Sequence, residues 1–339
     1  MKKFLFCGFG NIMQRHFRNL KKLLPDCKTT IYTNKHAMYR VFDDNLNISY
    51  HESLLHAYDI DYICYNINDA LDYDNYDAVF IGTLPPERIS QAIKSAKRNY
   101  NLFIEKPLSN NLDKIYNLQE IVESNNLKCA IGFQMRFHPL LNKLKEMVDN
   151  NEFGKIYRIE INHCNSVYNW TSGRDLDNFY VLKEKNGGGV LLSQIHEIDY
   201  LTWIFGKLYP ISAIYGQWLN IPNSDVEDNI TILSNLELTN ICIPVIINLD
   251  FISKVPKRTI KVYGTENFIE IDLIEGSYKT STKTGITTIS WNDLFMDEMK
   301  AFLNLLNGEK QENLATLEDG IHSLGFCMDI KSNFTKINL

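Results

Sequence analysis

The sequence predicts an α/β protein of two domains: a doubly wound parallel sheet in residues 1–133, and an α+β domain with a large, mostly antiparallel open sheet in residues 134–339. Three observations lead to this prediction. The 339 residues exceed what a single hydrophobic core usually supports. The first half alternates short apolar runs with amphipathic segments, the pattern of parallel strands joined by crossover helices. After residue 155, strand-like runs follow one another through short polar connections, which favours antiparallel pairing.

Strands are predicted in the first domain at residues 4–7, 29–32, 60–65, 78–82, 102–104 and 129–133. A first helix ends before Pro25, and further helices are predicted at residues 87–97 and 112–123. The second domain has predicted strands at residues 156–161, 211–219, 229–238, 242–251, 259–263 and 268–273. Helices at residues 190–205, 293–306 and 315–333 are expected to cover one face of this second sheet, with the final helix able to pack back on the first domain.

The composition excludes several classes of function. With a net charge of −6 and basic residues scattered singly, the chain has no concentrated positive surface for nucleic acid. No apolar run approaches the ~20 residues of a membrane span, and the amino terminus lacks the apolar core of a signal peptide. The seven cysteines form no CxxC pair, and none stands with a histidine at a zinc-site spacing. We therefore expect a cytoplasmic protein with free thiols, no bound metal, and no nucleic-acid or membrane partner.

A glycine-rich turn, GFGNIM at residues 8–13, follows the first predicted strand and precedes a helix. It contains the first two glycines of the dinucleotide-binding fingerprint, which bring backbone N–H groups and a helix N-terminus to a pyrophosphate. The simpler alternative is an ordinary strand-to-helix turn. Met13 replaces the third glycine, so we expect the helix to be displaced outward. The cofactor contacts predicted in this turn are Gly8, Gly10, Asn11, Ile12 and Met13.

The residues after the second predicted strand bear on the choice between NAD and NADP. An acidic residue at this point would bind the ribose 2′-hydroxyl of NAD. The sequence instead has Thr33, Asn34 and Lys35, with a cation and no carboxylate. We expect these residues to contact NAD or NADP, with a slight preference for NADP.

Three further segments, taken with this turn and His16, resemble the signatures of the Gfo/Idh/MocA oxidoreductases in order and spacing. They are EKP at residues 105–107, GFQMRFHP at residues 132–139, and GGG at residues 187–189 followed by HEID at residues 196–199. TLEDG at residues 316–320 is also similar to the family. The resemblance implies a Rossmann domain that binds NAD(P), followed by a domain for substrate binding and oligomerisation.

The resemblance assigns catalysis to Lys106 and His196. In that family the lysine of EKP lies beside the nicotinamide and touches the reacting oxygen, where an ammonium stabilises the charge that develops as hydride leaves. The histidine is the acid/base, a task that suits imidazole near neutral pH. Taken alone, a lysine before proline is more often a surface turn and a helical histidine is more often structural. The position of Lys106 after a predicted strand, and that of His196 after the triple glycine, favours a catalytic role for each residue. By the same resemblance, cofactor contacts are expected from Thr83, Pro85, Arg88, Glu105 and Lys106.

Two positions of this sequence, Ser193 and Arg88, depart from the family pattern. Ser193 stands where many relatives carry an aspartate three residues before the histidine, so His196 would act without that carboxylate. Arg88 replaces a histidine that is common after the proline-containing loop, and we expect it to contact cofactor or substrate without a catalytic role.

Substrate contacts are expected from Arg136, Tyr168, Trp170, Arg174, Ser193 and Asp199. The aromatic and polar side chains of residues 165–180 suit stacking on a sugar ring, although a loop packed on its own domain would have the same composition. The planar fork of Arg136 matches a carboxylate or phosphate, or it braces the domain junction. Asp199 is expected on the same helical face as His196, where it orients the ring or binds a sugar hydroxyl.

These observations predict an NAD(P)-dependent oxidoreductase that moves hydride to or from a hydroxyl or ketone carbon of a sugar, sugar acid or nucleotide sugar. Residues 10–20 resemble family members of surface-polysaccharide pathways, which is analogy alone. Two alternatives stay open: epimerisation or elimination through transiently reduced bound NAD(P), and a non-catalytic NAD(P)-binding regulator. The sheet of the second domain predicts a homodimer or homotetramer.

Overall fold

The computed structural model describes residues 1–34, 40–43, 48–50, 54–171, 176–219, 221–238 and 241–337. These residues form two units. The first contains Met1–Gln134 and Trp291–Ile321, and the second contains Met135–Ser290 and the chain from His322 onward. Two residues predicted to bind ligand, Lys35 and Arg174, lie outside the described residues.

Residues 1–134 contain β1 (Lys3–Cys7), α1 (Asn11–Leu23), β2 (Lys28–Tyr32), β3 (Arg40–Phe42), β4 (Ile48–Tyr50), α2 (Leu54–Ala57), β5 (Tyr62–Cys64), α3 (Ile67–Tyr73), β6 (Ala78–Ile81), α4 (Pro85–Ala96), β7 (Asn101–Glu105), α5 (Ile115–Ser124) and β8 (Cys129–Gly132). Residues 135–290 contain α6 (Pro139–Asp149), β9 (Ile156–Cys164), α7 (Val167–Thr171), α8 (Val190–Ser193), α9 (His196–Phe205), β10 (Leu208–Gly216), β11 (Asn229–Leu238), β12 (Ile241–Asp250), β13 (Lys257–Gly264), β14 (Phe268–Asp272), β15 (Ser277–Thr280) and β16 (Thr284–Ile286). The remaining residues contain α10 (Trp291–Leu306), β17 (Ala315–Thr316), α11 (Leu317–Asn333) and β18 (Thr335–Ile337).

The first unit is built on a seven-stranded sheet in the order β17-β8-β7-β6-β1-β2-β5. Its neighbouring strands are parallel except for the short β17, which runs antiparallel to β8. Every residue of β6 is apolar and buried, as expected for a parallel strand covered on both faces. The strand order reverses between β1 and β6, and such a switch point is where open α/β sheets bind ligands. The predicted doubly wound sheet is confirmed.

Helix α10 belongs to the first unit, where it packs against α1. The Phe302 ring centroid lies 5.4 Å from that of Phe80 and 5.3 Å from that of Phe103. The Phe295 ring lies 5.6 Å from the His16 ring. The prediction that this helix covers the second sheet is therefore wrong. Periodicity identifies a helix and its apolar face, but it does not identify the distant surface on which that face packs.

The second unit contains a nine-stranded sheet in the order β16-β15-β14-β13-β9-β12-β11-β10-β18. Most neighbours are antiparallel, but β9 is parallel to β12 and β10 is parallel to β18, so the sheet is mixed. Its buried face is set by aligned isoleucines on five adjacent strands: Ile232, Ile247, Ile161, Ile260 and Ile271. Because successive side chains alternate between faces, this row fixes the register of the strands.

The adjacent row of the same strands, on the opposite face, is polar. Thr231, Asn248, Asn162 and Thr259 are cross-strand neighbours, and their side chains form consecutive hydrogen bonds of 3.0, 3.1 and 3.3 Å. This polar ladder crosses the centre of the face opposite the isoleucine row.

Several features of the second unit were not predicted: helices α6 and α7, strands β15, β16 and β18, and the division of the predicted helix at residues 190–205 into α8 and α9. The short strands are rich in polar residues and lack a clear alternation. In the part of the chain that the structure describes, the helices are too short or too polar to cross a membrane.

Candidate active site

The turn between β1 and α1 has the backbone shape of a nucleotide-binding loop. Gly8 has a φ of +84°, and a Cβ built on it would lie 3.0 Å from the Gly82 carbonyl oxygen and the Thr83 amide nitrogen, so only glycine fits. Gly10 caps α1 without a side-chain hydrogen bond, and the first turn of α1 has no acidic residue. The Asn11 side chain accepts a hydrogen bond of 2.8 Å from the Ile12 amide. A turn with two glycines and a buried Phe9, beside a positive helix end, fits a pyrophosphate.

Met13, in the place of the third fingerprint glycine, is only 1% exposed. The residue after β6, Gly82, supplies the space for it, because a Cβ built on Gly82 would collide with Sδ and Cγ of Met13. The glycine that the fingerprint places in α1 is thus found instead in the neighbouring turn, at Gly82. This exchange removes the steric reason for the expected outward displacement of α1.

Gln14 is a buried residue of this region that the sequence reasoning missed. Its side-chain nitrogen donates to the carbonyl groups of Phe9 and Arg40 at 3.0 and 2.8 Å. Its side-chain oxygen accepts from the Phe42 amide and the Tyr58 hydroxyl, both at 2.8 Å. These bonds tie the glycine-rich turn to β3. The available signal was a polar residue at a helix position expected to be buried.

The segment after β2 carries no carboxylate at its two described positions. Thr33 is buried, and its amide donates to the Cys64 carbonyl at 3.1 Å, whereas Asn34 is exposed. After β6, the Thr83 hydroxyl donates to Gln91 at 2.9 Å. Pro85 is the first residue of α4, where the missing N–H costs no helical hydrogen bond.

Arg88, in α4, is only 5% exposed and is bonded to backbone carbonyl groups. Its Nε donates to Thr83 at 2.9 Å, and its Nη1 donates to Glu105 at 2.8 Å and to Pro107. The guanidinium therefore binds the main chain on both sides of Lys106.

Glu105 ends β7 and is buried, and its carboxylate faces other protein groups. Oε1 lies 2.7 Å from Nε2 of His16, and Oε2 accepts the Lys106 amide at 3.2 Å. Burial alone would raise the pKa of Glu105, but the hydrogen bond and charge of His16, with the charges of Arg88 and Lys106, lower it. An ionised carboxylate thus holds the backbone of Lys106, whose own side chain is half-buried.

In the second unit, His196 is the first residue of α9 and is 5% exposed. Helix α8 ends at Ser193, and the short link between the two helices is anchored by Gln194, whose Nε2 donates to the Asp250 carbonyl at 3.2 Å. The same carbonyl accepts the Asn165 amide at 3.1 Å. The link before His196 therefore lies beside the segment that follows β9.

That segment contains two of the predicted substrate residues. Tyr168, in α7, is 56% exposed, and its amide donates to the Ser166 hydroxyl at 3.4 Å. Trp170 lies in the same short helix. Within the second unit, the chain thus brings the aromatic segment and the start of α9 to the carboxyl ends of β9 and β12.

Glu197, next to His196, is fully buried and is the second feature that sequence reasoning missed. Its Oε1 lies 2.7 Å from Nε of Arg258 and 2.9 Å from Nδ1 of His163, two residues that are neighbours on β13 and β9. Burial alone would raise the pKa of Glu197, but Arg258 and His163 lower it to about 2. The ionised carboxylate fastens the first turn of α9 to the sheet.

Asp199 and Arg136, both predicted to bind substrate, are bonded to each other. Nη2 of Arg136 lies 2.7 Å from Oδ1 of Asp199, and Nε lies 3.0 Å from Oδ2. Both side chains are buried, and the Arg136 guanidinium also lies 5.7 Å from the Trp203 ring. The planar fork predicted to meet an anionic substrate is thus filled by a carboxylate of the protein.

Glu227 lies under the triple glycine and was also not predicted. A Cβ built on Gly189, whose φ is +103°, would collide with the Glu227 carboxylate, which also accepts the Leu191 amide at 3.2 Å. Lys331 of α11 lies 3.5 Å from the same carboxylate. Burial raises the pKa of Glu227, although Lys331 opposes this shift. Gly189 is therefore required by a close approach of the carboxylate and by its backbone conformation.

Comparison with known proteins agrees with this architecture. A family model described as "Oxidoreductase family, NAD-binding Rossmann fold" matches residues 2–133, and one described as "Oxidoreductase family, C-terminal alpha/beta domain" matches residues 145–327. The chain belongs to the Gfo/Idh/MocA oxidoreductase family. Family membership makes it an NAD-dependent oxidoreductase and confirms the predicted class of enzyme.

Relatives of this Gfo/Idh/MocA chain include the uncharacterized oxidoreductase YrbE of Bacillus subtilis, 24% identical over 304 residues that cover 88% of this chain and 79% of the relative. The solved scyllo-inositol dehydrogenase of Lactobacillus casei, with NAD(H) and scyllo-inositol, has a TM-score of 0.78 at 20% identity and covers 98% of this chain and 97% of its own. The WlbA dehydrogenase of Bordetella pertussis, with NADH and UDP-GlcNAcA, has a TM-score of 0.78 at 16% identity and covers 98% and 94%. The similarity to these structures establishes the fold.

Proposed function

We propose that this oxidoreductase moves hydride between NAD(P) and a hydroxyl-bearing ring carbon of a sugar, sugar acid or nucleotide sugar. The observation that carries the proposal is the fixed position of His196: the two acidic residues of the same helical turn, Glu197 and Asp199, are both held in buried ion pairs. A proton-transfer group needs such a fixed orientation. The ligands of the two solved relatives, scyllo-inositol and UDP-GlcNAcA, support a ring polyol as substrate.

The roles of the residues follow from their chemistry. Bound NAD(P) would accept or supply the hydride, with its pyrophosphate held by the backbone of Gly8, Gly10 and Asn11. His196 takes the proton of the substrate hydroxyl during oxidation and returns it during reduction. The ammonium of Lys106 donates a hydrogen bond to the same oxygen and stabilises its developing negative charge.

Substrate contacts are proposed for the aromatic segment and the end of α8. Tyr168 stacks on the ring, and Trp170, Arg174 and Ser193 bind its hydroxyl groups. For Arg136 and Asp199 we propose an orienting role for α9, supported by their mutual pairing, in place of the expected direct contact.

The finer proposals concern substrate, cofactor and assembly. A nucleotide sugar of surface-polysaccharide biosynthesis is supported by the resemblance of residues 10–20 and by the UDP-sugar ligand of WlbA. NADP is accepted beside NAD, because no carboxylate at positions 33 and 34 opposes a 2′-phosphate. A second copy covers the sheet face that carries the polar ladder, where Ile214 and Leu233 are 54% and 42% exposed.

Turnover assays test the proposed function. NAD(H) and NADP(H) are offered with free cyclic polyols, sugars and UDP-sugars, and net change of nicotinamide absorbance is followed. His196→Asn should lower kcat by about 100- to 10,000-fold while the Kd of NADH stays unchanged. Lys106→Met should also lower kcat, whereas the matched surface control Lys145→Met should not. Full turnover by His196→Asn, or no binding of either cofactor, would overturn the proposal, and substrate conversion without net cofactor change would favour epimerisation.

A further inference from the structure

The three carbonyl groups bound by Arg88 lie at the ends of two neighbouring strands, β6 and β7. Thr83 lies in the turn after β6, and Glu105 and Pro107 lie immediately before and after Lys106. Arg88 is 5% exposed, and its contacts to Glu105 and Pro107 are buried, where a carbonyl group without a donor would be costly. Arg88 therefore connects the ends of the neighbouring parallel strands β6 and β7, next to the switch point between β1 and β6.

We propose that Arg88 is a positioning residue for Lys106 and that it acts through the main chain on either side of that lysine. The effect of Arg88 on catalysis rests on the proposed function. Its hold on the backbone around Lys106 rests on the hydrogen bonds described above. Lys106 has a flexible side chain, so the direction of its ammonium depends on how firmly its backbone is held. Arg88 holds the two flanking carbonyl groups, and Glu105 holds the Lys106 amide at 3.2 Å.

The chemistry of arginine explains why this chain has arginine where the family it resembles commonly has histidine. A guanidinium has five N–H donors in a rigid plane, and three carbonyl acceptors here use Nε and Nη1. An imidazole has only two nitrogens and could not serve three acceptors at the ends of two strands. The departure at Arg88 is therefore a different way of fixing the Lys106 segment, and it does not indicate a lost activity.

The test compares Arg88→Lys and Arg88→Ala with wild type and with the control Arg98→Lys. Arg98 lies just after α4, and its surface pair with Asp72 measures 2.6 Å. Hydrogen–deuterium exchange of the cofactor-free protein should show faster exchange confined to a peptide spanning residues 103–110 in both Arg88 variants. With the cofactor and best substrate, kcat should fall by about 100-fold at nearly constant KM, because a small misplacement of a catalytic group is costly. Added guanidinium ion should restore part of kcat in Arg88→Ala.

Each outcome decides the inference. Localised exchange with lower kcat and guanidinium rescue supports it. Faster exchange throughout the first unit means a general stabilising role and overturns it, as does lower kcat with unchanged exchange, which means direct contact with cofactor or substrate. Normal exchange and normal kcat also overturn it. If wild type turns over no substrate, the proposed function fails, and the exchange measurement alone still decides whether Arg88 holds the Lys106 segment.

Discussion

At the scale of single residues, a glycine in a neighbouring turn can make room for a large side chain on a helix without loss of the fold. The dinucleotide fingerprint places a small residue at the third glycine position so that the helix packs closely on the sheet. Here Met13 fills that position, and Gly82 of the adjacent turn lacks the side chain that would collide with it. Close packing of the helix on the sheet therefore limits the combined volume of the side chains at positions 13 and 82.

The Gly82→Ala substitution tests this exchange. The added Cβ should collide with Met13, cost about 1–3 kcal/mol of folding free energy, and weaken NADH binding. Met13→Ala in the same chain should restore much of the lost NADH affinity, because the colliding atoms are Sδ and Cγ. Fluorescence titration with NADH on both single variants and the double variant measures the coupling free energy between positions 13 and 82. Strictly additive effects would contradict the exchange.

At the scale of elements, the ends of helices carry the polar contacts that orient them. The first turn of α9 is held by Glu197 and Asp199, and α6 begins with His138 as its N-cap. Nδ1 of His138 accepts the Leu140 amide at 3.1 Å, while Nε2 lies 3.3 Å from the Leu273 carbonyl oxygen. These partners fit a neutral ring with its proton on Nε2. Burial lowers the pKa of His138 to about 4, despite the opposing bond to Leu273.

This cap makes the stability of the protein depend on pH. The pKa of His138 is about 4 in the folded protein against an ordinary value of 6.5, so the unfolded chain binds the proton first as pH falls. The neutral His138 cap contributes fully to the free energy of unfolding above pH 6.5, and this contribution is lost as pH falls through about 4. His138→Asn keeps a capping oxygen without a titrating group, so its free energy of unfolding should fall less across this range, by up to about 3 kcal/mol. Denaturant titrations at a series of pH values measure the difference, and equal slopes for both proteins would count against the assignment.

At the scale of the whole molecule, the first unit is discontinuous in sequence. Residues 1–134 supply most of its sheet, and residues 291–321 return to add α10 and the edge strand β17. The aromatic rings of Phe80, Phe103 and Phe302 join the two segments. The stability of the nucleotide-binding unit therefore depends on residues far along the chain.

Phe302→Ala tests that dependence. Removing a fully buried aromatic ring should cost about 3–5 kcal/mol, and the loss should appear in the first unit. Hydrogen–deuterium exchange should show weaker protection of β6 and β7, with little change in β9 and β12 of the second unit. Phe302→Leu, which retains most of the volume, is the control and should lose much less. Equal loss of protection in both units would show that α10 does not belong to the first unit alone.

The sequence by itself determined the fold class and most of its elements. Alternating apolar and amphipathic runs predicted the parallel strands of the first unit, and short motifs located Gly8 after a strand, Lys106 after another, and His196 after the triple glycine. These features depend on backbone geometry within a few residues, so a single sequence contains them.

Only the tertiary structure decided which distant side chains meet. His16 and Glu105 are 89 residues apart, and Arg136 and Asp199 are 63 apart. Tertiary packing likewise decided the hydrogen bonds of Arg88 and the break between α8 and α9. It also decided the match of Met13 with Gly82 and the packing of α10 on the first unit. Local patterns show that a residue is apolar or charged, but its partner is chosen when the strands and helices pack. Buried polar groups must then find donors and acceptors wherever the packed chain brings them.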